Sequence, residues 1–140
     1  MAEKDLSYRL VPSTCVYCGT GCGVLLEVMG DRLTGTLPQK DHPVSKGALC
    51  IKGWSCHEFV YSQRRLMKPM VRKDGELVET DWETAIKAVV EGLAKARDGH
   101  GPDAVGFFAS ARCTNEENYL LQKFARAVIG TNNVDHCARL

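Results

Sequence analysis

Short runs rich in apolar and β-prone residues at 7–11 and 24–29 read as short strands. Pro12 is expected to stop the first. Gly30-Asp31 reads as a hairpin turn, and residues 32–37 as the returning strand. Residues 38–47 are polar, contain Pro43 and Gly47, and read as loop. Residues 51–61 then read as a short helix with Trp54, Phe59 and Val60 apolar. Further on, residues 71–79 resemble a hairpin that turns at Asp74-Gly75, a pair suited to a type I′ turn.

The period changes to 3.6 in residues 80–97. Trp82, Ala85, Ile86, Val89, Val90 and Leu93 form one apolar stripe. Thr80 and Glu83 stand at capping-box spacing, and Gly99 with Gly101-Pro102 ends the helix. Residues 104–109 are a continuous apolar run, as in a buried parallel strand. Thr114 and Glu117 cap a second helix, with Leu121, Phe124, Ala125 and Val128 on its apolar face and Gly130 closing it. Another strand begins at Val134. Helix, strand, helix, strand is half of a doubly wound α/β unit. The basic stretch 62–70, with Pro69, marks a boundary between a small β-rich domain, 1–66, and this α/β domain, 67–140.

Composition narrows the functional classes. The chain has 140 residues, 44% hydrophobic and 25% charged, a globular balance. A net charge of +1 gives no bulk field for nucleic acid or an anionic membrane. No apolar run approaches a membrane span, and the first residues carry neither an apolar core nor twin arginines, so a cytoplasmic protein is expected. Seven cysteines, an odd number, then point to metal binding before disulfides.

Four of them, Cys15, Cys18, Cys22 and Cys50, have the spacing C-x2-C-x3-C-x27-C. Three thiolates on one tight loop and a fourth from further on suit the four corners of a [4Fe–4S] cube. Gly19, Gly21 and Gly23 interleave with them and permit tight turns. Structural zinc is the competitor, but zinc prefers two C-x2-4-C knuckles, and the nearest partner of Cys50 is Cys56, at C-x5-C. Cys56, Cys113 and Cys137 are expected to be small buried hydrophobes. In Gly19-x-Gly21 the third glycine is misplaced for a dinucleotide fingerprint and the segment sits among the thiols, so it is rejected as one.

Lys52, two residues after Cys50, is either a bridge from the cluster to a second redox centre or a solvated surface lysine. Arg112 follows the buried strand and precedes a helix, a place where doubly wound sheets bind ligands. There it suits a phosphate or pyrophosphate, or is simply a surface arginine near a cap. Asn115 and Asn118 read as capping residues, His136 and Cys137 as unrelated neighbours, and His42 and His57 as ordinary histidines.

The segments Cys15-Val-Tyr-Cys18-Gly-Thr-Gly-Cys22 and Gly47-Ala-Leu-Cys50-Ile-Lys52-Gly53, together with the run from Ser110 to Leu140, resemble the catalytic subunit of molybdenum- or tungsten-dependent formate dehydrogenases. These are oxidoreductases that use bis-molybdopterin guanine dinucleotide. The resemblance implies that Cys15, Cys18, Cys22 and Cys50 hold one [4Fe–4S] cluster. It implies that Lys52 lies between cluster and pterin and helps relay electrons; Lys52, and Arg112 by its position after the strand, are the candidate cofactor-binding residues. It further implies formate and CO2 as substrate and product, and an electron-acceptor subunit that is ferredoxin-like, a hydrogenase, or flavin- or nicotinamide-linked.

Members of that family are several times longer, and their metal-ligating selenocysteine or cysteine directly follows a stretch like Ala138-Arg139-Leu140. No catalytic residue is therefore expected within the chain, which alone should not oxidise formate. A free-standing iron–sulfur carrier and a zinc-bound structural module are the alternatives. Against the carrier, the α/β half has no redox role of its own. A selenocysteine codon read as stop would account for an end at Leu140. The codon after Leu140 in the gene tests this: TGA followed by an open frame starting with histidine is expected, and TAA or TAG refutes it.

Overall fold

A computed structural model describes residues 7–137. Its contacts divide the chain into two compact units. One runs up to Gln63 and takes in Ser110–Asn118; the other comprises Arg64–Ala109 and Tyr119–Cys137.

The first unit is an antiparallel sheet of β1 (Tyr8–Thr14), β2 (Gly23–Met29) and β3 (Arg32–Pro38), in that order. β1 runs through Pro12, contrary to the expected stop, and Pro12 stands opposite Leu25. The reason is position: β1 pairs only with β2, and an edge strand tolerates a residue without an N–H. The β2–β3 turn is as expected, with Gly30 left-handed at φ 61°. Val24 on β2 and Thr36 on β3 are almost fully buried.

The helix expected over 51–61 is broken into α1 (Ile51–Trp54) and a separate 3-10 turn, Glu58–Tyr61. Two contacts account for the break. Gly53 packs so closely on Leu49 that a Cβ there would lie 2.3 Å from Leu49 Cδ1. Between the turns, Cys56 and His57 direct their side chains to Thr36 Oγ1, at 3.5 and 3.1 Å. Tyr61 then accepts the Leu33 N–H at 2.7 Å, which ties the turn to β3.

In the second unit, β4 (Met70–Lys73) and β5 (Glu76–Glu79) form the expected hairpin. Asp74 at φ 50° and Gly75 at φ 89° supply the two positive φ values of a type I′ turn. α2 (Trp82–His100) starts one residue later than expected: its cap is Asp81, whose Oδ1 accepts the Thr84 N–H at 2.7 Å. Thr80 is held elsewhere, with its N–H on Pro69 O. Most of the α2 stripe is exposed, Trp82 at 69% and Ile86 at 56%.

β6 (Phe107–Ala109) and β7 (Val134–His136) pair in parallel, with α3 (Asn115–Phe124) between them in sequence. This is the βαβ order read from the chain. β6 is shorter than expected because Pro102–Ala104 forms a 3-10 turn. It is also not fully buried: Phe108 is 86% exposed, whereas Phe107 meets Phe124 edge to face at 5.9 Å. α3 passes into a five-residue π turn, Ala125–Ile129, and ends at left-handed Gly130. Asp103 accepts the Thr131 hydroxyl at 2.8 Å beneath this end, next to buried Ala125 and Ile129. No helix among the described residues is long and apolar enough to cross a membrane.

The Thr84 N–H, pointing at the Asp81 carboxylate, holds its pKa below the ordinary value. A carboxyl with a depressed folded-state pKa stabilises above its unfolded pKa, and that contribution is lost as pH falls through the folded value. Thermal unfolding followed by circular dichroism from pH 7 down through the carboxylate range should therefore show a steeper loss for wild type than for Asp81→Asn, a neutral residue that still caps.

Candidate metal centre

The β1–β2 connection carries three of the thiols because it closes on itself. The Cys15 N–H donates to Cys22 O at 2.8 Å, and the Gly21 N–H to Cys18 O at 3.4 Å, with Gly21 left-handed at φ 63°. Cys15 leaves the end of β1 and Cys22 leads into β2, so the sheet fixes both ends of the loop. The fourth thiol comes from Cys50, the residue that opens α1, with extended backbone at φ −77° and ψ 168°.

All four thiols line one cavity of about 240 Å³, and Lys52 and Arg112 line it with them. Tyr17 and Leu49 contribute apolar wall. Sequence reasoning thus picked out six residues that the fold brings to one place, two of them basic. Among the described residues, no group of three or more His, Cys, Asp or Glu side chains is placed to hold a single metal ion.

The thiols differ electrostatically. Burial raises the pKa of Cys15 above that of an ordinary thiol. The Thr20 hydroxyl, 3.3 Å from the Cys18 sulfur, lowers that of Cys18, and Lys52 and Arg112 act in the same direction. Cys50 is lowered by the backbone N–H groups of Gly53 and Lys52, which point at its sulfur.

The remaining cysteines do not line the cavity. Cys56 is buried against Thr36, as expected, but Cys113 is only half-buried and Cys137 is exposed. Their surroundings explain the difference: Cys113 belongs to a turn, with its N–H on Ser110 O, and Cys137 follows the short strand β7. The stretch Ala138-Arg139-Leu140 lies outside the described residues.

The asparagines act differently from the capping role expected of them. Asn115 Nδ2 donates to Gly19 O at 2.8 Å, inside the cysteine loop. A Cβ on Gly19 would stand 2.7 Å from Asn115 Oδ1, so a larger residue there would displace the Asn115 amide. Asn118 accepts the Ser110 N–H at 3.2 Å and donates to Ser110 O at 2.9 Å, which shapes the loop bearing Arg112. The cap itself is the expected pair: Thr114 N–H to Glu117 Oε2 at 2.7 Å, and Glu117 N–H to Thr114 Oγ1 at 3.3 Å. His42, which gave no signal in sequence, lies directly over Gly23.

Comparison with known proteins gives the family. Residues 8–62 match the molybdopterin oxidoreductase Fe4S4 domain, and residues 65–140 match the molybdopterin oxidoreductase family. The chain belongs to the molybdopterin oxidoreductase family. It is 56% identical over 130 residues to F420-dependent formate dehydrogenase 1 subunit alpha of Methanococcus maripaludis, covering 93% of this chain and 19% of that protein. It is 47% identical over 135 residues to F420-dependent formate dehydrogenase subunit alpha of Methanocaldococcus jannaschii, with 96% and 19% covered. A putative formate dehydrogenase of Staphylococcus aureus is 42% identical over 141 residues, with 99% and 14% covered. The chain thus spans 19% or less of the length of these curated relatives.

The cofactors of this family setting are a [4Fe–4S] cluster and a molybdopterin carrying molybdenum or tungsten. The donor set fits the cluster: soft thiolates from four positions on one cavity, with cations and backbone N–H groups turned toward them.

In the metal-free chain, thiolate character should set the order of alkylation. Brief treatment with iodoacetamide near neutral pH should label Cys50 and Cys18 well before Cys15. Peptide mass mapping checks the order, and early labelling of Cys15 would contradict it.

Proposed function

We propose that this chain is the electron-transfer and partial cofactor-binding segment of a formate dehydrogenase, an enzyme that converts formate to CO2, two electrons and a proton. The observation that carries the reading is the shared cavity of Cys15, Cys18, Cys22 and Cys50. These four residues would hold one [4Fe–4S] cluster. Once bound, the cluster supplies one-electron transfer.

The chain's own groups support that role. Cys15 and Cys22 are fixed by the ends of β1 and β2, and Cys50 by the start of α1. Lys52 and Arg112 turn positive charge toward the thiolates, and this pair favours an anionic group in the cavity. Lys52, next to the Cys50 corner, is the residue we assign to electron relay toward a pterin. Arg112, with a planar fork of donors, is assigned to cofactor binding. Residues 1–66 would form the cluster domain, and 67–140 the start of a molybdopterin-binding domain.

Formate is taken as the substrate because the relatives are named formate dehydrogenases. Two of those names include F420, so an F420-linked subunit is the acceptor we favour among the possible partners. A cytoplasmic location is part of the same reading. The segment by itself would hold the cluster without oxidising formate.

Anaerobic reconstitution of the chain with ferrous iron and sulfide should give about four irons and four sulfides per chain, and a paramagnetic signal on reduction. Cys50→Ala should lose that stoichiometry, whereas Cys137→Ala should keep it. Uptake of one zinc in preference, or equal loss in both variants, would refute the assignment.

A further inference from the structure

Gly23 follows Cys22 directly, and both of its backbone groups are taken by the loop that leads to Cys50. The Gly23 N–H donates to Ser45 Oγ at 3.2 Å, and Gly23 O accepts the Gln39 N–H at 3.1 Å. Ser45 is 9% exposed, so the first of these bonds is buried. His42 closes the arrangement. Its Nδ1 accepts the Ser45 N–H at 3.4 Å and lies 3.4 Å from Ser45 Oγ. Since the Ser45 N–H must donate, Nδ1 is the acceptor nitrogen and the ring proton of neutral His42 sits on Nε2. The Ser45 hydroxyl, which accepts from Gly23, can share that single Nδ1 lone pair with the Ser45 N–H.

The imidazole approaches so closely that a side chain at position 23 has no room. A Cβ there would lie 2.4 Å from His42 Cδ2 and 2.7 Å from His42 Cβ. Glycine at 23 is thus required by packing rather than by backbone conformation. Beyond Ser45 the chain turns through Lys46 and Gly47, both at positive φ, and reaches Cys50 within five residues of the anchored serine.

We propose that Gly23, His42 and Ser45 form a latch that holds the Cys50 segment against the loop of Cys15, Cys18 and Cys22, and so sets how firmly the four thiolates retain an iron–sulfur cluster. The inference rests on the cluster reading given above. His42 and Ser45 are positioning residues: they touch Gly23 and the loop backbone, and act on the cluster through the placement of Cys22 and Cys50. Residues that orient metal ligands in this way commonly alter metal affinity by about 10–100-fold.

The experiment has two arms. In the metal-free chain, hydrogen exchange of the Gly23 amide reads the latch directly: slow exchange is expected in wild type and in Ser45→Thr, and fast exchange in Ser45→Ala. In the anaerobically reconstituted chain, iron release to a ferrous chelator and the paramagnetic spectrum of the reduced cluster are followed. Gly23→Ala should release iron about tenfold faster than wild type, with shifted g-values. Gly23→Ala/His42→Gly, which removes the three nearest contacts of the new Cβ, should release iron no faster than His42→Gly alone. Such non-additivity marks a direct steric coupling, which general loss of folding would not produce. Far-UV circular dichroism of each variant separates altered release from unfolding.

Fast exchange of the Gly23 amide in wild type overturns the latch. So does wild-type iron release and an unshifted spectrum in Gly23→Ala, or strict additivity in the double variant. A wild-type chain with a protected Gly23 amide that gains no four-iron spectrum overturns the cluster reading instead.

Discussion

Four sulfurs facing one small cavity are a concentration of like charge as soon as they ionise, and like charges at close range disfavour ionisation. The rest of the site answers that constraint. The N–H groups of Lys52 and Gly53 face the Cys50 sulfur, the Thr20 hydroxyl stands beside Cys18, and Lys52 and Arg112 bring full positive charge. At Cys15 the chief influence is burial, which works the other way and favours the protonated thiol. A buried thiol of this kind ionises when a metal's own charge replaces the proton. Burial thus raises the pKa of the Cys15 thiol while the backbone N–H groups at the start of α1 lower that of exposed Cys50, so the two thiols are shifted in opposite directions.

The scaffold supplies position at low conformational cost for three thiols and at higher cost for the fourth. Cys15, Cys18 and Cys22 share a single hairpin connection, closed by the Cys15–Cys22 backbone bond. Ordering so short a loop on an existing sheet costs little extra closure entropy. Cys50 lies 28 positions beyond Cys22, and its segment must be tied down by contacts that have nothing to do with sulfur. The bonds to both backbone groups of Gly23, and the packing of Leu49 on Gly53, are such contacts. Glycine thus recurs around the cysteines for two separate reasons. Gly21 supplies a left-handed turn, while Gly19, Gly23 and Gly53 leave space for a neighbouring side chain.

What was legible in the sequence was local. The C-x2-C-x3-C run, the Asp74-Gly75 turn, the Thr114–Glu117 box and the Gly130 stop each depend on residues a few positions apart, and each is found in the structure. What was not legible required knowing partners. Asn115 meets Gly19 across 96 positions, and no local pattern announces that bond. Pro12 looked like a strand terminator because the edge position of β1 is a property of the sheet, invisible along the chain. The Thr80 cap gave way to Asp81 because two adjacent residues were both competent and the β5 exit engaged one of them. The amphipathic stripe of α2 was read correctly as a pattern, yet Ile86, Val89 and Val90 are exposed, so periodicity reported an apolar face without reporting a cover for it.

The cavity also shows why the cysteine segment is not by itself the site. The Fe4S4 match ends at residue 62, but Arg112 lines the cavity and Asn115 holds Gly19, and both lie in the stretch matched to the second family. Contacts place Ser110–Asn118 in the same compact unit as the cysteines, which is where these side chains must be to act there. Asn118, gripping both backbone groups of Ser110, sets the path of the loop that presents Arg112. A chain cut at the boundary between the two matches would keep all four sulfurs. It would lose one of the two cations that answer their charge, and the hydrogen bond that fixes the Cys18–Cys22 turn. The electrostatics of the site, more than its ligand count, therefore ties the two family segments into one functional piece.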